Sequence, residues 1–96
     1  MPAYILAEIQ VTDEAAYGPY RPLAAASIAR FGGRFLVRGG ASELLEGAPA
    51  PNRTVVIEFP DAETARRWYR SEEYQRALKI RQAASQGRLI LVEGVP

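Results

Sequence analysis

Period-two alternation opens the chain. From Ala3 to Val11, the residues Ile5, Ala7, Ile9 and Val11 share one side while Tyr4, Leu6, Glu8 and Gln10 share the other, which predicts a strand. Thr12-Asp13-Glu14 then reads as a helix start, with Asp13 or Thr12 free to cap it. Pro19 and Pro22 cannot both lie deep in one regular helix. A short turn near Asp13–Tyr17 is therefore expected, followed by a main helix from Pro19 or Pro22 to Phe31. Leu23, Ala24, Ser27, Ile28 and Phe31 fall on one side of that helix, and Gly32-Gly33 ends it.

Alternation returns at Arg34–Arg38, with Phe35 and Val37 on one face and Arg34, Leu36 and Arg38 on the other. Gly39-Gly40 marks a bulge or bend, after which Ser42–Glu46 is a possible continuation of the strand, and Gly47–Asn52 reads as a loop. A third strand covers Arg53–Phe59, where Val55, Ile57 and Phe59 oppose Thr54, Val56 and Glu58. Asp61 caps a second helix, Ser71 opens a third helical stretch to about Gln86, Gly87 stops it, and Arg88–Glu93 is the last strand.

The order strand, helix, strand, strand, helix, strand is the ferredoxin-like split βαβ arrangement. It predicts an α+β domain with a four-stranded antiparallel sheet and helices on one face. The second face carries Tyr4, Leu6, Leu36 and Val56, with Leu89 and Leu91 or their neighbours, and is too apolar to be left in water. A two-fold homodimer closing sheet on sheet is the simplest remedy.

Composition sharpens this picture. Ninety-six residues make one domain, residues 1–96, and a monomer of that size buries only about 60–65% of its unfolded surface. With 48% hydrophobic residues, self-association is expected. Twelve basic and eleven acidic residues give a net charge of +1, which offers no footprint for nucleic acid or an anionic membrane. The absence of cysteine and histidine excludes disulfides, thiolate nucleophiles, Cys/His metal sites, a Ser-His-Asp triad and a histidine-ligated haem. No acidic cluster has the spacing of a carboxylate metal loop, so no cofactor or metal is expected. The first ten residues lack the basic region of a signal peptide, and no apolar run nears the roughly 20 residues that span a bilayer. A cytoplasmic protein is the expectation.

Arg38-Gly39-Gly40, Leu45-Glu46-Gly47, Val55 to Pro60, Trp68-Tyr69 with Ser71, Glu73-Tyr74-Gln75, and Arg81, in that order, resemble the bacterial domain of unknown function 1330 (DUF1330) family. The resemblance covers nearly the whole chain. It implies the dimeric α+β barrel group, which includes cofactor-free monooxygenases, lactone isomerases and haem-binding enzymes. It implies a fold and a cavity, but no particular activity.

Candidate chemistry comes from charges on apolar stripes. Glu8, Arg38, Glu58 and Glu93 are expected to point into the barrel interior, where an unpaired charge costs several kcal/mol. They either pair with one another or meet a ligand. Arg81 interrupts the stripe of Tyr74, Ala77, Leu78 and Ala84. It either snorkels outward or grips a carboxylate or enolate bidentately. Tyr20, Trp68, Tyr69 and Tyr74 are core or interface aromatics, of which one or two can orient a ligand.

Three functions are consistent with this pattern. The first is a homodimer binding a small organic acid or carbonyl compound between sheet and helices, through Arg38 and Arg81. The second is a cofactor-free isomerase or monooxygenase with Glu58 or Glu8 as base. The third is a structural or regulatory interaction module with no cavity.

Overall fold

The computed structural model describes residues 1–49 and 53–96. The chain runs β1 (Ala3–Val11), α1 (Glu14–Tyr17), α2 (Tyr20–Arg30), β2 (Arg34–Arg38), β3 (Arg53–Phe59), α3 (Ala62–Arg70), α4 (Glu72–Ala84) and β4 (Ser85–Glu93). The four strands form one antiparallel sheet in the order β2-β3-β1-β4, the ferredoxin-like α+β fold expected. The last three residues of the Gly47–Asn52 loop, 50–52, lie outside the described residues.

Local chemistry explains most element boundaries. Asp13 Oδ1 accepts from Ala16 N at 3.1 Å and starts α1. Pro19 then stands at the N-cap of α2, and Pro22 falls in its first turn, where backbone N–H groups have no intrahelical partner to lose. At the other end, Gly32 N donates to Ala29 O and Gly33 N to Ile28 O, the paired bonds of a Schellman cap, with Gly32 at φ 75°. Ser71 Oγ donates to Trp68 O at 2.7 Å and accepts from Tyr74 N at 3.2 Å. One hydroxyl therefore closes α3 and opens α4.

The core lies between the sheet and the helices. Ala3, Ile5, Ala7 and Ile9 of β1 meet Val55, Ile57 and Phe59 of β3 beneath Ala24 and Ile28 of α2, Trp68 of α3, and Tyr74 and Ala77 of α4. Trp68 is wholly buried, its Nε1–H donating to Ser27 Oγ at 3.0 Å, so its one polar atom is satisfied within the core.

Several expectations are corrected here. A register shift between Phe35 and Val37 makes Leu36 the extra residue of a bulge. Beyond it Val37 pairs with Val56 and Arg38 with Val55, so Val37 turns to the outer face and Arg38 to the helix face, the reverse of strict alternation. Ser42–Glu46 is not a strand. Leu23 is exposed rather than packed. α4 ends at Ala84, whose carbonyl accepts from Thr12 N and Asp13 N, and β4 begins at once. Gly87 is therefore a strand residue opposite Ile9. A Cβ there would overlap the Glu8 carbonyl oxygen and lie 3.0 Å from Ile9 Cα, so glycine allows the close strand approach that a helix-stop reading missed. Glu93 pairs with Ala3 and so belongs to the helix side.

Candidate functional site

The candidate site is a cleft of about 670 Å³ between β4 and the helices α3 and α4. Its floor is apolar: Ile5, Leu89 and Leu91 come from the helix-facing side of the sheet, because Ile5 pairs with Leu91 and Ala7 with Leu89. Its walls carry Tyr69, Arg66, Arg70 and Arg81, Arg88 borders it while its guanidinium pairs with Glu8 on the outer face of the sheet, and among the described residues no carboxylate lines it. This size falls within the range of small-molecule sites, roughly 300–1,000 Å³.

Arg81 is the unusual group. It is 7% exposed, and among the described residues no carboxylate lies within 4.0 Å of it. Its Nε donates to Tyr74 Oη at 3.3 Å, and Tyr74 Oη lies 2.8 Å from Tyr20 Oη. Burial works against its positive charge, but Tyr74, then Tyr20 and Tyr69, outweigh that and hold its pKa above the ordinary arginine value. The cleft thus contains a permanent, nearly buried cation without a counter-ion among the described residues. Burial first, and then Tyr74, push the Tyr20 phenol well above its ordinary pKa. Burial raises Tyr17 as well, against the opposing pull of Arg53 and Arg21. Both phenols stay protonated near neutrality and serve as donors, not as bases.

The other expected site residues separate into groups. Tyr69 is 38% exposed on the cleft wall, its ring 5.7 Å from that of Tyr74. Tyr74 is wholly buried and stands behind Tyr69 and Arg81 rather than in the cleft lining, while Tyr20 and Trp68 line a smaller void nearer β2 and β3. Arg38 lines that smaller void too, with its Cζ 4.2 Å from the Phe35 ring centroid, so Arg38 and Arg81 do not converge on one ligand position.

Glu58 and Glu8 face the outer side of the sheet rather than the cleft. Glu58 pairs with Arg34 directly across β2 and β3 at 2.7 Å, and Glu8 with Arg88 directly across β1 and β4 at 2.7 Å. The expected pairing of Glu8 and Glu58 with Arg38 is therefore replaced by cross-strand partners that only the register reveals. Arg66, Arg70, Arg88 and Arg53 were not singled out by the sequence. Arg66, Arg70 and Arg88 read along the chain like any solvated arginines, and only the fold brings them to the cleft, whereas Arg53 stands opposite Ile9 on the helix-facing side near β2. Among the described residues no group of three or more acidic side chains is placed to hold a metal ion.

Fold and site together define a ferredoxin-like α+β protein with a basic, partly apolar cleft under its helices. The chain belongs to the family Domain of unknown function (DUF1330), whose model matches residues 2–95. Among solved structures it is similar to a protein of unknown function from Rhodopseudomonas palustris, at 22% identity and a TM-score of 0.82, covering 99% of this chain and 83% of that one. It is also similar to SnoaB, a cofactor-independent oxygenase from Streptomyces nogalater, at 20% identity and a TM-score of 0.67, covering 99% and 94% of the two chains. An antibiotic biosynthesis monooxygenase matches at 16% identity and a TM-score of 0.54 over the full length of both chains. At these identities the likeness establishes the fold alone. No curated protein matches the sequence.

Proposed function

We propose that this protein binds a small organic acid or carbonyl compound in the cleft between β4 and the helices α3 and α4. The observation that carries this reading is Arg81: a nearly buried arginine with no carboxylate partner among the described residues, in a ligand-sized cleft with an apolar floor. Its role is to meet the carboxylate or the polarised carbonyl oxygen, while Ile5, Leu89 and Leu91 cover the apolar body and Tyr69 offers a ring edge or face. Every polar group identified in this reading is a donor, which suits an acceptor-rich ligand head. A cofactor-free enzyme using Glu58 or Glu8 as base ranks lower, because both carboxylates are ion-paired on the opposite face of the sheet.

The functional unit in this reading is a homodimer. Leu36, Val37, Ile90 and Val92 are exposed on the outer face beside Tyr4, Leu6 and Val56, forming an apolar surface that a second copy would cover.

Native mass spectrometry of the purified protein, followed by the same measurement after denaturation, tests both parts. The expected result is a dimer carrying a small mass that denaturation releases. A panel of aliphatic and aromatic carboxylates and ketones should raise the melting temperature of the ligand-free protein saturably, and Arg81→Gln should abolish that rise. A clean monomer overturns the dimer. No thermal response to any compound, or the same response in Arg81→Gln, overturns the site.

A further inference from the structure

We propose a second anion site, separate from the cleft, at the β2–β3 end of the helix layer, which takes a small oxyanion such as a phosphoryl or carboxylate group. It is built around Arg53, the first residue of β3. Among the described residues the Arg53 Nε is buried with no hydrogen-bond partner, an arrangement proteins rarely leave unfilled. The guanidinium lies against Gly39, which has φ 72° and donates its N–H to Thr54 O at 2.9 Å. A Cβ at Gly39 would overlap Arg53 Nη1 and lie 2.8 Å from its Cζ, so the missing side chain is what leaves room for the guanidinium.

Two more arginines reach the same corner. The bulge at Leu36 turns Arg38 onto the helix face, and Arg21 sits with its Cζ 4.8 Å over the Tyr17 ring. Arg21, Arg38 and Arg53, with Tyr17 and Tyr20, form the polar part of a largely apolar lining around a void of about 40 Å³, space for only a few non-hydrogen atoms. A neighbouring hollow of about 370 Å³, taken as its mouth, shares Ile9, Arg21 and Arg53 with it. The one carboxylate at the mouth among the described residues, Glu14, is engaged by Arg21 Nη2 at 2.7 Å. Among the described residues neither Arg38 nor Arg53 has a carboxylate within 4.0 Å. Three arginines therefore stand around the void and its mouth with one carboxylate among the described residues, already occupied, in a protein whose total charge is only +1. Three arginines around one void of a few atoms, Arg53 with an unpaired Nε, suit the head of an oxyanion, with the rest of the ligand in the mouth.

The test follows the Nε–Hε resonances of the arginine side chains in the ¹⁵N-labelled full chain, during separate titrations with inorganic phosphate and with acetate. The expected result is a saturable shift of the Arg53 signal. Saturation at lower phosphate than acetate assigns a phosphoryl group, and the reverse order assigns a carboxylate. Arg38→Gln, at an exposed position, should weaken binding about tenfold or more. Gly39→Ala keeps every charge but displaces the Arg53 guanidinium, and should weaken binding as well. Tyr69→Ala, in the cleft wall, should leave this response in place. No saturable shift with either anion, or an unchanged affinity in both Arg38→Gln and Gly39→Ala, overturns the proposal.

Discussion

Replacing Arg81 by methionine separates a ligand-gripping role from a structural one, because the two predict opposite changes in stability. Arg81 is 7% exposed and has no carboxylate within 4.0 Å among the described residues, so folding removes its charge from water without an ion pair in return. Such desolvation costs several kcal/mol, and replacing a buried ionic group with an apolar one of similar volume is often neutral or stabilising by about 1–4 kcal/mol. Against this stands one long hydrogen bond, Arg81 Nε to Tyr74 Oη at 3.3 Å, worth about 1 kcal/mol. Its loss orphans nothing, since Tyr74 Oη keeps Tyr20 Oη at 2.8 Å. Methionine follows the same unbranched path through the apolar stripe of α4. The net expectation is a gain of about 1 kcal/mol, which for a domain of this size raises the melting temperature by roughly 4–8 °C. Urea denaturation with an unchanged m-value measures it, and carboxylate binding, followed by calorimetry on the same variant, should be lost. A destabilisation of about 2 kcal/mol or more would refute the reasoning, since it would mean that the fold itself depends on the cation.

Gly87→Ala should destabilise the protein by about 1–3 kcal/mol or more in urea, because its Cβ overlaps the Glu8 carbonyl oxygen in the β1–β4 pairing; an unchanged midpoint would contradict that geometry. Tyr17 and Tyr20 are both raised above the ordinary value of 10.0, so the unfolded chain releases their protons first. Stability should therefore be whole below about pH 10 and fall as pH rises beyond it, with a shallower fall in Tyr20→Phe. Glu58→Gln loses a pair whose arginine is largely exposed. It should cost no more than about 1 kcal/mol and leave carboxylate binding intact, whereas abolished binding would return Glu58 to the site.

Features set by neighbours in sequence were legible without a structure. Asp13, Asp61 and Ser71 cap the helices that follow them, and the break expected from the two prolines falls at Pro19, between α1 and α2, with Pro22 inside the first turn of α2. Arg81 stood out as a charge on an apolar stripe, and it is the buried cation of the cleft. The partners of Glu8 and Glu58 were not legible. Each pairs with the arginine directly opposite on a neighbouring strand, Arg88 and Arg34, and nothing along the chain states which strand residues oppose one another. Arg53 gave no signal because its environment is made by Gly39, fourteen positions away and on the far side of a loop.

The sequence by itself determined the element order, the helix-facing residues of β1 and β3, and hence the ferredoxin-like sheet, because side-chain alternation and capping act over a few residues. Tertiary structure alone decided where the charges point. One extra residue in β2 turned Arg38 from the outer face to the helix face, and one close strand crossing made Gly87 a strand residue. Both are consequences of register, and register is a property of two strands together, fixed only when the whole sheet packs against its helices.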